Sequence, residues 1–267
     1  MLSIVLASVF AVQLASMPDA TCKGEGEGNY RVIDVKNSDA RVVVFGDRHS
    51  TDPADPFFHE VERLVTELSP TVIVVEGQPG GPKPESRTVA IQHGGAGGLA
   101  CWLASRSSVP CVYADLTEDE EARRLLKKYQ ADEVLVYFVV RVLAYFNPRP
   151  AAERPPGDLV EFALRRAAPL VGKPTASQED LAMMWRRVLH RRFDPKEVTT
   201  DWHHPFKKEM ITQRISREDN ALREPYMIEQ LIGAATPGAR VFAVYGEGHV
   251  CSMRRRLRDG LQKNAKH

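Results

Sequence analysis

No two of the four cysteines, Cys22, Cys101, Cys111 and Cys251, stand in Cys-x-x-Cys spacing. That removes support for a zinc knuckle or a thioredoxin-type redox motif. Neither charge dominates: 36 basic side chains meet 35 acidic ones, for a formal net charge of +1. The balance gives no electrostatic case for nucleic acid or for an anionic membrane surface as a partner. No internal repeat is visible beyond one pair of short motifs. The glycine run His93-Gly94-Gly95-Ala96-Gly97-Gly98 has neither GxGxxG nor Walker spacing. It can present backbone N–H groups to an anion, but its first reading is a helix packed tightly on a strand.

The apolar run Met1 to Ser16 lacks the positively charged start that a signal peptide normally carries. It is about the length of a signal-peptide core and short for a membrane span. Small residues lie near a cut between Ala15 and Ala20. The expectation is an exported protein, periplasmic or extracellular, with a leader over 1–20 and a polar, glycine-rich linker over 21–29. Contact with a membrane is expected only through an uncleaved leader. Cys101 and Cys111 can pair in an oxidising compartment, but the expectation is two buried free thiols.

What the chain does have is size and two stretches with one grammar. Its 267 residues, 43% hydrophobic and 27% charged, suit one large soluble domain with an ample core. Val42-Val43-Val44-Phe45-Gly46-Asp47-Arg48-His49 and Val241-Phe242-Ala243-Val244-Tyr245-Gly246-Glu247-Gly248-His249 each run from apolar residues into Gly-x-x-His. Each predicts a buried strand that turns at glycine and delivers an imidazole beyond its C-terminal end. In open α/β sheets ligands bind in the crevice beyond those ends.

In order, Tyr30–Val35 and Arg41–Phe45 read as a hairpin, and Phe57–Leu68 has helical spacing. Thr71–Val75 is a continuous apolar strand ending at Glu76-Gly77, which completes a βαβ unit. After a glycine- and proline-rich loop over 78–84, the glycine run precedes a helix to Leu103, and Val109–Ala114 is a further strand ending at Asp115. Helices are expected over 118–130 and 132–146, and four prolines then break the chain over 147–156. The basic stretch 157–192 reads as helices with a solvated basic face. His203 and His204 lie in a loop that can aim either at a metal, with surface or structural roles as the plainer reading. A helical stretch over 207–233 is expected to restart or kink at Pro225. The fold class is α/β: a single domain over 30–267 with a helical lobe at about 147–205.

His49, Glu76, Asp115 and His249 therefore all fall at strand ends. Two imidazoles with one or two carboxylates can hold a divalent metal with an open position for water. The same set can act without metal, a carboxylate-oriented histidine serving as general base. Arg217 or Arg223 can bind a substrate carboxylate or stabilise an oxyanion. The competing reading is that each histidine merely caps the helix that follows.

With these residues in view, the chain resembles the TraB / TIKI / ChaN-like / erythromycin-esterase superfamily. The resemblance rests on Gly46-Asp47-Arg48-His49, Val75-Glu76-Gly77, Gly246-Glu247-Gly248-His249 and Arg223-Glu224-Pro225-Tyr226-Met227. It covers roughly 42–249 and leaves 147–205 unexplained. It implies a mixed, largely parallel sheet flanked by helices, with His49, Glu76 and His249 lining one cleft and Arg223 beside them. The superfamily includes metal-dependent proteases, macrolide esterases and haem-binding lipoproteins. By that resemblance His49, Glu76, His249 and Arg223 are catalytic. The first three hold manganese, cobalt or zinc, and Arg217, Arg223 and Asp115 meet a peptide or small-molecule ester. Asp115 stands where relatives often have glutamate, and Glu224 where aspartate or asparagine is more usual. The alternative is a haem- or small-ligand-binding protein of the ChaN-like type, or an inactive relative.

Overall fold

In the computed structural model, which describes residues 32–36, 39–77, 83–151 and 154–264, the two Gly-x-x-His strands lie side by side. β2 (Arg41–Asp47) and β5 (Arg240–Gly246) pair in parallel, with Gly46 opposite Tyr245 and Asp47 opposite Gly246. β1 (Val32–Lys36) is antiparallel to β2, as the hairpin requires. β3 (Val72–Val75) pairs in parallel with β5, and β4 (Cys111–Tyr113) in parallel with β3. The order β1-β2-β5-β3-β4 makes a mixed, largely parallel sheet. Its four parallel strands end at one edge, so Asp47, Glu76, Asp115 and Gly246 share it. The leader, the linker, Tyr30, Arg31 and most of the 78–84 loop lie outside the described residues.

Side chains alternate across the sheet. Val43, Phe45, Ile73, Val75, Phe242 and Val244 face one side, where α1 (Phe57–Leu68) and α2 (Arg87–Arg106) cover them. Val42, Val44, Val74, Val241, Ala243 and Tyr245 face the other, under α7 (Ile211–Ala234) and α8 (Glu247–Asn264). Both faces are thus apolar, which is why these strands read as unbroken hydrophobic runs. A third core belongs to the helical lobe: α3 (Glu118–Leu125), α4 (Ala131–Phe146), α5 (Leu159–Leu170), α6 (Gln178–Leu189) and the first turns of α7. It runs from Ala122 to Ile215 and so takes in more of the chain than 147–205. No helix of the described residues is long and apolar enough to cross a membrane.

Four local expectations are corrected. Cys101 and Cys111 are not free thiols: a disulfide joins the second half of α2 to β4, with the Cα atoms 5.4 Å apart. The glycine run does not precede α2 but lies inside it. The helix begins at Arg87, where the Ser86 hydroxyl accepts from the Val89 N–H at 3.2 Å, and breaks at Gly95, φ 54° and ψ −140°. α3 stops at Leu125 rather than Gln130, because Gln130 is extended and shares a capping box with Glu133 at the start of α4. No new helix begins at Pro225: α7 runs through it as one element, with Arg223, Glu224, Met227 and Leu231 buried on either side.

Candidate active site

The twin motifs build two different local structures. After β5 the chain passes directly into α8, so His249 sits in the first helical turn and is 7% exposed. After β2 the chain enters a loop, and His49 adopts the left-handed conformation at φ 61°. That backbone turns the ring outward: 61% of the His49 side chain is exposed. The His49 ring nevertheless comes up against Gly246, and so does Glu76, to which His249 is joined. A Cβ on Gly246 would stand 3.2 Å from His49 Nε2 and 3.2 Å from Glu76 Oε2. Only hydrogen at this position leaves the ring and the carboxylate undisturbed.

Glu76 is the shared partner. Its Oε2 accepts from the Gly246 N–H at 2.5 Å and its Oε1 from Arg223 Nη2 at 2.7 Å. His249 Nε2 lies 3.6 Å from the same Oε1. Burial alone would raise the Glu76 carboxyl. The His249, Arg223 and His49 charges and the Gly246 N–H outweigh it and hold the group well below the usual carboxylate range. Glu76 is therefore ionised at neutral pH, and the 23% of its side chain that meets solvent favours the same state.

Each imidazole has a second carboxylate at Nδ1. Asp47 Oδ2 lies 3.7 Å from His49 Nδ1, and Asp47 Oδ1 accepts the His49 backbone N–H at 2.7 Å. Burial pushes the Asp47 carboxyl up, against the pull of His49 and of the His49 and Ala96 N–H groups. Glu224 Oε1 lies 3.4 Å from His249 Nδ1, and Glu224 also accepts from Ser252 and Arg256. Arg223 is held on several sides. Its Nε donates to Asp115 Oδ1 at 3.0 Å and its Nη2 to Asp115 Oδ2 at 2.5 Å, while Glu121 Oε1 lies 3.4 Å from Nε. Burial would lower the guanidinium, but Glu76, Asp115 and Glu121 keep it well above its ordinary value.

The chain matches no protein-family model, no curated protein and no solved structure. The likeness to the TraB / TIKI / ChaN-like superfamily therefore rests on its motif residues alone.

Of the residues singled out in the sequence, the fold brings His49, Glu76, Asp115, Arg223 and His249 together. Arg217 is placed elsewhere: its Nη1 donates to the Pro205 carbonyl at 3.2 Å, and it lines a separate cleft of about 540 Å³ with His190 and Arg214. His203 and His204 do not join the site either. The Phe206 N–H donates to His204 Nδ1 at 3.3 Å, and His203 is packed near Arg141 and Asp219. Asp47, Glu121 and Glu224 complete the site without having been assigned a role in it. Asp47 stood inside the first motif, and Glu224 next to Arg223. Glu121 was hidden among the charged residues of the helix expected over 118–130. The signal for Glu121 was Arg141, a cation within the apolar run Val134–Phe146, which needs a buried partner. That partner is Glu121, at 2.6 Å.

A divalent metal at this centre needs His49, Glu76 and His249 with lone pairs free to converge. Both Glu76 oxygens already accept hydrogen bonds, and a guanidinium 2.7 Å from Oε1 opposes a second cation there. Among the described residues no three His, Cys, Asp or Glu groups are arranged to hold a metal ion. As arranged, these residues do not fit a metal.

Proposed function

We propose that this chain is an exported hydrolase of peptide or small ester bonds, acting without a metal, with His49 as its general base. The observation that carries this is the exposed His49 ring, with Asp47 at its Nδ1 and the ionised Glu76 beside its Nε2, at the edge where the parallel strands end. His49 Nε2 takes a proton from water as the water oxygen bonds to the substrate carbonyl carbon. The imidazolium then returns that proton to the departing amine or alkoxide. Glu76 stabilises the imidazolium between those steps. Arg223, with its Nε and Nη2 on carboxylates and only 8% of its side chain exposed, positions Glu76 rather than meeting substrate. His249, fixed between Glu76 and Glu224, holds the other side of the same carboxylate. Export is supported by the signal-like leader and by the Cys101–Cys111 disulfide, which persists in oxidising compartments.

The test is turnover of p-nitrophenyl acetate and of fluorescein-labelled casein by the wild type and by His49→Ala and Glu76→Gln. General-base catalysis contributes about 10²- to 10⁴-fold, so each variant is expected to lose at least about 100-fold. Circular dichroism is expected to show the fold unchanged. Wild-type turnover is expected to survive EDTA. Loss on EDTA with recovery on manganese, cobalt or zinc would transfer the chemistry to a metal. Wild-type turnover by both variants would remove His49 and Glu76 from it altogether. A Soret band on haem titration that His49→Ala abolishes would favour the ligand-binding reading instead.

A further inference from the structure

The glycine run inside α2 has no part in the chemistry just described, yet two of its glycines are obligatory. At Gly95 the backbone takes φ 54° and ψ −140°, a region essentially reserved for glycine. A Cβ there would also stand 3.1 Å from the Ser50 carbonyl oxygen and 3.2 Å from Asp47 Oδ2. At Gly98 a Cβ would stand 2.3 Å from the Ala90 carbonyl oxygen, so only glycine lets the two halves of the broken helix sit this close. At Gly94, by contrast, a Cβ meets nothing within 4 Å.

The break has a consequence at the site. A helix start leaves backbone N–H groups without intrahelical partners and carries partial positive charge. Restarting α2 after Gly95 creates such a start in the middle of a helix, and it is directed at the Asp47 carboxylate: a Cβ on Gly95 would lie 3.2 Å from Asp47 Oδ2, and the Ala96 N–H helps to favour the charged carboxylate. Asp47 in turn accepts the His49 backbone N–H and faces His49 Nδ1. The anion that the glycine run receives is thus a side chain of this protein.

We propose that the glycine break in α2 is a positioning device for His49: Gly95 opens the helix, the Ala96 N–H fixes Asp47, and Asp47 sets the direction and tautomer of the ring. Its effect on rate rests on the hydrolase reading above; its effect on the ring does not. With the Nδ1 proton directed at Asp47, the Nε2 lone pair is left facing the cleft, as a base requires.

The experiment records the ring-nitrogen ¹H–¹⁵N correlation spectrum of the full ¹⁵N-labelled chain, with the His49 signals assigned through His49→Ala. Hydrolysis of p-nitrophenyl acetate is measured alongside. Wild type is expected to hold the His49 proton on Nδ1. Gly95→Ala is expected to convert this to a tautomer mixture and slow hydrolysis by about 100-fold, the effect of misplacing a catalytic group by about 1 Å. Gly94→Ala is expected to change neither. Ala96→Pro deletes the N–H at a first-turn position where proline is tolerated, and because Ala96 is fully buried the fold of the variant is checked by circular dichroism. It is expected to behave as Gly95→Ala does, and it decides the matter if Gly95→Ala fails to fold. A wild-type His49 spectrum in the folded variants overturns the proposal. A changed spectrum with unchanged hydrolysis upholds the positioning and overturns the role of His49 as base.

Discussion

His49 carries the cost of its own placement. A residue with a Cβ in the left-handed region loses about 1 kcal/mol or more, and such strain gathers at functional sites. If the strain serves to aim the ring, removing ring and strain together releases it. His49→Gly is expected to raise stability by up to about 1 kcal/mol in urea denaturation while abolishing hydrolysis. A loss of stability would make His49 a structural cap. At this scale the sequence displayed the histidines and Glu76, because each follows an apolar strand. It did not display Asp47 and Glu224 as their partners. Those roles depend on distances of 3.7 Å and 3.4 Å that no spacing encodes.

Among the elements, the decisive relation is that β5 lies between β2 and β3. Strand character was legible in the runs of valine and phenylalanine, and so was the antiparallel β1–β2 pair, which a short turn enforces. The neighbours of β5 were not, since parallel pairing over about 200 residues leaves no local trace. That pairing brings Gly246 against both His49 and Glu76. Gly246→Ala places a methyl 3.2 Å from each, so ring and carboxylate must each yield by a few tenths of an ångström. The expected result is a fall in kcat of at least about 10-fold with a melting temperature within a few degrees of wild type. A Gly246→Ala enzyme with wild-type kcat would show that the two groups need not be held this closely. The glycine run in α2 was legible as glycine, but its placement inside a helix was not. Ordinary helix-forming residues lie on both sides of it, and a steric break looks the same in sequence as a loop.

Across the whole molecule, the buried charges of the site continue into the helical lobe. Arg223 faces Glu121, Glu121 accepts from Arg141, and Arg141 lies 3.4 Å from Asp219, which accepts from the Tyr137 hydroxyl at 2.8 Å. His203 packs at the far end of this string. Burial, reinforced by the Arg141 charge and by His204 and only partly opposed by Asp219, pushes its imidazole down to about 4. In the unfolded chain a histidine binds its proton near pH 6.5, roughly. The unfolded state therefore holds more protons between those values. Stability conferred by neutral His203 is full above about pH 6.5 and is lost as pH falls towards about 4. His203→Gln is expected to flatten the stability profile across that window in urea denaturation. An unchanged slope would place the acid sensitivity elsewhere. Basic residues of the lobe read as a solvated face, and those on α6 such as Arg186 and Arg187 are indeed exposed. Arg141, on α4 and half-buried, ties the lobe to the cleft through Glu121.

The most direct measurement of whether His49 and Glu76 act as one unit is a double-mutant cycle on turnover of p-nitrophenyl acetate, with EDTA present throughout. Groups that work together lose their effect together, so the His49→Ala/Glu76→Gln enzyme is expected to be no slower than the slower single variant. Losses that multiply, or either single variant retaining the wild-type rate, would contradict a shared, metal-free site at the strand ends.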